Sequence, residues 1–296
     1  MAVTYEVTHR TEYRYQSDVS DSYGQLHVLP REIDGQRCLS AEVVVDPAPE
    51  DYRERLDYFG NRVSYVAIHR PHRALTVTAT SVVEVDDRPS ELSLSGHRPW
   101  EEARDALRCG HAPDPIDAVQ FTLESPLVQA SGMFADYAAR TFTPARPLQE
   151  AVTDLCHRIH AEFEYKPGST SVRTPLAEVF AQRQGVCQDF AHVGIACLRS
   201  IGLPARYVSG YLRTDPPRGA TKLKGADASH AWISVLMGQA GWLDVDPTND
   251  QFANLRYVVT AYGRDYSDVP PLSGVIYTEG KTESLRVAVD VVAVSG

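Results

Sequence analysis

Cysteine is scarce in this chain. Five occur in 296 residues, at Cys38, Cys109, Cys156, Cys187 and Cys197, with no regular spacing. An odd, scattered set argues against a disulfide framework and for reduced thiols in a cytoplasmic compartment. Long apolar runs are also missing: no stretch approaches the ~18 residues that suggest a membrane-spanning helix. The opening residues, MAVTYEVTHRTEYRYQ, show no basic stretch leading into an apolar one, so no signal peptide is expected. Positive charge is in deficit, with 29 Lys and Arg against 39 Asp and Glu, a net charge of −10. That balance disfavours nucleic acid or an anionic membrane as partner, and its plain meaning is solubility. Internal repeats and low-complexity tracts are absent from the sequence as well.

What is present reads as an ordinary globular protein, 43% hydrophobic and 23% charged, long enough for one large domain or two ordinary ones. Residues 1–88 read as β. YEVTHRTEYRY alternates, with Tyr5, Val7, His9, Thr11, Tyr13 and Tyr15 on one face, and AEVVVDP, NRVSYVAIH and ALTVTATSVVEV are further β-branched runs. They predict an antiparallel sandwich or barrel. A polar, proline-containing stretch over 86–99 suits a linker, and 89–145 reads as a connecting helical segment, with helices in WEEARDALRCG and MFADYAARTF. In the remainder, 146–296, Val152, Leu155, Ile159 and Phe163 keep helical spacing. TPLAEVFAQRQG predicts a helix with Thr174 as N-cap, Pro175 in its first turn and a glycine terminator. PARYVSGYL, HAWISVLM, GWLDVDPT, RYVVTAY and LRVAVDVVAV predict strands, the second and third forming a hairpin.

Two cysteines fall in one apolar run, RQGVCQDFAHVGIACLRSIG. The helix DFAHVGIACLRSIG is apolar nearly all round, which predicts burial. Cys197 lies in its middle, where a desolvated thiol is inert. Cys187 lies in its first turn, where unpaired N–H groups and the helix dipole favour an anion. A nucleophilic thiolate needs an imidazole within reach, and the imidazole needs an acceptor on its other nitrogen. Of ten histidines, His230 begins a predicted strand on which Ala231, Ile233 and Val235 form one face and His230, Trp232 and Ser234 the other. In the next strand Leu243 and Val245 face the core, with Trp242, Asp244 and Asp246 opposite. A turn centred near Gln239 sets His230 across from residues 247–248. Asp246 is then the natural orienter, while Asp244 lies nearer Trp232 and Ser234.

GVCQDFAHVGIACLRSIGLPARYVSGY, SHAWISV and GWLDVDPT resemble the motifs of the transglutaminase-like superfamily, whose core is papain-like. They occur in that family's order, Cys then His then Asp, with separations of 43 and 16 residues. HRTEYRY, LHVLPRE and DYFGNRVS look like the N-terminal domain of bacterial members, and AYGRDYSDVPPLSGV also resembles that group. The resemblance implies an α+β chain: a β domain over 1–88, a connecting segment over 89–145, and a core over 146–296 with a central helix on an antiparallel sheet and C-terminal strands. It implies Cys187 as nucleophile, His230 as general base and acid, and Asp246 as the residue fixing the imidazole tautomer. It also implies an oxyanion hole that includes the Cys187 N–H and a side chain upstream, for which Tyr165 is the candidate. The implied chemistry is thiol-dependent amide hydrolysis through a thioester, on a peptide or protein bearing an amide, glutamine or isopeptide bond. Transfer of the acyl group to an amine is the alternative, and a peptide-binding scaffold without catalysis is the rival from another class. No cofactor is implied, and no acidic loop suits calcium.

Other groups have plainer readings beside a functional one. Trp232, Trp242, Tyr207 and Tyr211 are candidates to line the substrate groove, or are strand packing residues. Cys156, His157 and His160 share a helix, and Cys109 and His111 are close in sequence, yet a core-edge thiol with surface histidines is preferred to a metal site. His192 reads as a hydrogen-bonded core histidine, and Asp189 suits the helix start. The loop 213–228, with Lys222 and Lys224, is either a lid or an ordinary connection.

Overall fold

Alternation in the first strand sets the architecture. β1 (Val3–Leu26) buries Tyr5, Val7, His9, Thr11 and Tyr15 on one face. It is long enough to pair with four other strands in a computed structural model, which describes residues 2–86, 97–112, 114–214 and 228–294. β2 (Gln36–Asp46), β3 (Asp51–Leu56), β4 (Arg62–Ile68) and β5 (His72–Val85) complete the order β2-β5-β1-β4-β3, all antiparallel. The sheet curls around Tyr15, Val19, Leu26, Val66, Ile68 and Val77, a core of its own.

The middle of the chain is helical. α1 (Trp100–Arg108) and the short α2 (Pro115–Val119) precede α3 (Gly132–Ala139) and α4 (Leu148–Glu162). On α4 the expected stripe is buried: Val152, Leu155 and Ile159, with Phe163 just beyond its end. β6 (Glu164–Tyr165) follows, then α5 (Leu176–Gln182) and β7 (Gln184–Gly185). Thr174 does not cap α5. Its Oγ1 instead accepts the Ser171 N–H at 2.9 Å, and Pro175, lacking an N–H, is the boundary residue. Nor does a glycine end α5. Arg183 takes the left-handed conformation at φ 55°, and its guanidinium lies 4.0 Å from the centre of the Phe180 ring.

α6 (Cys187–Ser200) is the central helix, with every residue from Asp189 to Arg199 buried. It packs on a five-stranded sheet of β8 (Ala205–Leu212), β9 (Ala228–Leu236), β10 (Trp242–Asp246), β11 (Gln251–Phe252) and β12 (Tyr257–Gly263), in the order β11-β10-β9-β8-β12. Ala231, Ile233, Val235, Leu243 and Val245 join the core shared with α6, as the alternation predicts. The other face is covered too, with Val208, Trp232, Tyr257, Val259 and Tyr262 forming a second cluster.

β13 (Leu272–Thr278) and β14 (Thr282–Val294) return to the N-terminal sheet. They pair with the two halves of β1; the sequence suggested LRVAVDVVAV of β14 as a strand of the core and did not show β13. The fold is α+β, a curled antiparallel sheet followed by a helix-plus-sheet core. Residues 87–96 of the expected linker and 215–227 of the loop with Lys222 and Lys224 lie outside the described residues.

Candidate active site

The start of α6 is built for a polar group. Tyr165 pairs with Gly185 in a two-residue parallel bridge, and Gly185 leads into Cys187. Asp189, one turn into the helix, accepts the Val186 N–H at 2.9 Å and the Thr170 hydroxyl at 2.6 Å. This carboxylate serves the donor that precedes the helix, as an N3 acidic residue does in a capping box. Burial raises the Asp189 pKa, and those two bonds oppose the rise. Gly185 is required for the arrangement: a Cβ there would meet the Asp189 Cβ and Oδ2 at 2.7 Å.

Cys187 is half-buried at this tip, and its thiol lies near enough to His230 to help raise the imidazole pKa. His230 Nε2 donates to Asp246 Oδ2 at 2.7 Å, with the imidazole only 8% exposed and the carboxylate fully buried. The hairpin register is the expected one. Trp242 pairs with Leu236 and Val245 with Ile233, so continuation of the ladder sets His230 across from 248. Asp244 pairs with Ser234 and accepts the Trp232 indole N–H at 3.2 Å, well away from this contact.

Asp246 is held by more than His230. Oδ2 also accepts the Tyr257 hydroxyl at 2.7 Å and Asn249 Nδ2 at 2.6 Å, and Oδ1 accepts the Thr248 and Asn249 backbone N–H groups at 2.8 and 3.2 Å. Desolvation raises its pKa, but the bonds from His230, Asn249 and Tyr257 outweigh that and hold it below the usual carboxylate range. For His230, desolvation is the largest effect and lowers the pKa. Asp246 and Cys187 together overcome it and raise the pKa to about 10. A cationic imidazolium beside the Asp246 carboxylate is the state these shifts favour. Tyr257 and Asn249 were not singled out in the sequence. Asn249 stood three residues past Asp246, the one local signal for it, while Tyr257 reaches Asp246 from another strand.

The remaining candidates divide. Tyr165 is 53% exposed, and its phenol is near enough to Cys187 for the sulfur's charge to add to the burial that raises its pKa. Tyr207 is buried and feels Cys187 likewise. Trp232 is fully buried, packed 5.2 Å from the Tyr257 ring and 6.1 Å from His230, and so supports the imidazole instead of lining a groove. Tyr211 is buried against the N-terminal sheet, its hydroxyl donating to the Val28 carbonyl at 2.9 Å. Both were groove candidates, and both are packing residues because the sheet is covered on each face. Trp242 lies under the Arg206 guanidinium in a different cleft of 370 Å³. It pairs with Leu236, six residues along β9 from His230 and so roughly 20 Å away. A 510 Å³ cleft beside α1 and Gln239 is also lined by none of Cys187, His230 or Asp246.

Cys197 is fully buried, and burial pushes its thiol up to about 12. His192 accepts the Tyr266 N–H at 3.1 Å, and burial pushes it down to about 4. Cys156, His157 and His160 have separate surroundings: Cys156 is in the core, His157 Nδ1 bonds Asp250 at 2.7 Å, and His160 Nδ1 bonds the Thr248 carbonyl at 2.8 Å. Among the described residues no group of three or more His, Cys, Asp or Glu could hold a metal ion, and no helix is long and apolar enough to cross a membrane.

Comparison with known proteins agrees with this architecture. Residues 5–84 match the bacterial transglutaminase-like N-terminal region, and residues 135–247 match the transglutaminase-like superfamily. An uncharacterised protein of Mycobacterium tuberculosis is 47% identical, over 99% of this chain and 93% of its own. A Cytophaga hutchinsonii crystal structure provisionally described as a cysteine protease superposes with a TM-score of 0.76 at 20% identity. It covers 100% of this chain and 93% of its own, a likeness of fold. A protein-glutamine gamma-glutamyltransferase of Pseudomonas aeruginosa is 36% identical over 104 residues, 34% of this chain and 16% of that protein. These similarities support a thiol-dependent enzyme in general. The chain belongs to the transglutaminase-like superfamily, with the N-terminal region of its bacterial members.

Proposed function

We propose that the protein is a thiol-dependent amide hydrolase acting through Cys187, His230 and Asp246. The observation that carries this reading is the buried 2.7 Å pair of His230 with Asp246, with Cys187 at the helix tip close enough to act on the same imidazole. His230 takes the thiol proton, giving a thiolate beside an imidazolium. The sulfur attacks the amide carbonyl carbon, and the carbonyl π pair moves to oxygen. The Cys187 N–H and the Tyr165 hydroxyl are the proposed donors to that oxyanion, worth ~3 kcal/mol each by comparison with other oxyanion holes. Collapse breaks the C–N bond, and the amine leaves with the proton held by His230. Water then attacks the thioester and gives a proton to His230, and collapse breaks the C–S bond, releasing the acid and returning the Cys187 sulfur as thiolate.

Hydrolysis is favoured by the setting of the thiol, half-buried beside an exposed Tyr165, where water reaches the thioester. Transfer to an amine is the second reading, and the local similarity to the Pseudomonas aeruginosa gamma-glutamyltransferase favours it. The substrate in either case is a peptide or protein amide, glutamine side chain or isopeptide bond.

Iodoacetamide near neutral pH tests the assignment. Cys187→Ala is expected to lose the fast-reacting thiol, and Cys197→Ala to keep it. The reverse pattern sinks the proposal. An activated glutamine ester should leave an acyl adduct on Cys187, identified by mass, and added amine should speed its release if transfer is the reaction.

A further inference from the structure

The turn after β10 carries the backbone N–H groups of Thr248 and Asn249 that hold Asp246 Oδ1. α4 grips that turn from outside at two points. His160 Nδ1 donates to the Thr248 carbonyl at 2.8 Å, and His157 Nδ1 donates to Asp250 Oδ2 at 2.7 Å. The two histidines are three residues apart, so one helix face presents both. Asp250 is in the left-handed region at φ 51°, a conformation that carries strain outside glycine and needs support from its neighbours. Both imidazoles are exposed, so neither contributes to a core. Each ends on a turn whose other side is the buried carboxylate.

We propose that His157 and His160 are positioning residues that hold the 247–250 turn, and through it Asp246, in register with His230. The inference rests on the hydrolase reading, in which His230 works as the partner of Cys187. Either protonation state of His160 serves, because Nδ1–H donates in the cation and in the corresponding neutral tautomer. The groups facing His230 are Asp246, Cys187 and the Tyr257 ring, whose hydroxyl is spent on Asp246. A turn that drifts weakens the Asp246 contact, and His230 then loses its proton at lower pH.

Full-length protein and iodoacetamide read this without a substrate. The rate at Cys187, resolved by mass from the exposed Cys109 and half-buried Cys38, is followed against pH up to the alkaline step where His230 deprotonates. His160→Leu is expected to move that step down by about one unit. His160→Asn, whose amide N–H can occupy the place of Nδ1, is expected to leave it within a few tenths. The proposal is overturned if His160→Leu keeps the wild-type step, or if His160→Asn shifts as far as His160→Leu. Should His160→Leu fail to fold, His157→Leu is measured against His157→Asn with the same two outcomes. If the wild type has no fast thiol at Cys187, the hydrolase reading itself fails, a result visible before any variant is made.

Discussion

Asp246 gathers five hydrogen bonds, from His230, Tyr257, Asn249 and two backbone N–H groups. A fully buried carboxylate that lost one of its donors would keep the desolvation cost without the return. Tyr257→Phe should therefore cost about 2 kcal/mol in urea unfolding at neutral pH, and a loss below the error of extrapolation would contradict this role. The histidine adds a pH dependence of known sign. Its pKa is raised from 6.5 unfolded to about 10 folded, so its stabilisation is complete below 6.5 and is lost as pH rises through about 10. Asp246, held low, stabilises above the ordinary carboxylate value and loses that as pH falls. Between neutral and strongly alkaline pH, wild type should lose more stability than Asp246→Asn, by on the order of a few kcal/mol. Parallel stability curves for the two proteins would show that the ion pair is not formed as described.

At the scale of elements, the candidate site was legible wherever period and register decide. Alternation put Ile233 and Val245 on one face and His230 and Asp246 on the other, and a turn near Gln239 fixed which carboxylate meets the imidazole. Helix position separated Cys187 from Cys197. Most of the failures share a cause: they depend on what packs from elsewhere in the chain. Trp232 and Tyr211 read as groove residues because nothing local says that the N-terminal sheet covers their face. β14 read as a core strand, and β13 was not read as a strand at all, because pairing with β1 is set by residues more than 200 positions away. The cap of α5 missed for a local reason, since Thr174 spends its hydroxyl on the loop before it. One element-scale prediction concerns the entry to α6. Gly185→Ala drives a methyl into the Asp189 carboxylate, whose bonds to Val186 and Thr170 define the helix start. Overpacking of this kind costs about 1–3 kcal/mol. The variant should unfold at lower urea and lose its fast thiol. Wild-type alkylation by a folded Gly185→Ala protein would mean the Asp189 contact does not place Cys187.

Across the whole molecule, two side-chain amides join the halves. β12 is the edge of the core sheet, and N-terminal residues occupy its open side. Gln36 Oε1 accepts the Val259 N–H at 2.8 Å while its Nε2 donates to the Val259 carbonyl at 2.8 Å. Asn61 repeats the pattern on Tyr262, with both bonds at 2.8 Å. Each amide thus satisfies a buried peptide group as a neighbouring strand would. The same strand carries Tyr257, which bonds Asp246, so the N-terminal sheet supports the candidate site through β12. The return of β13 and β14 to β1 closes the chain a second time. Parts joined in this way should unfold together, with the near-ultraviolet signal and the reactivity of Cys187 lost in one transition. Asn61→Leu removes both bonds to the Tyr262 backbone, at a cost of roughly 3 kcal/mol. It should lower the midpoint of that single transition while keeping it single. A wild-type protein whose N-terminal sheet melts first, with Cys187 still fast towards iodoacetamide, would show that the core holds its site without the sheet beside it.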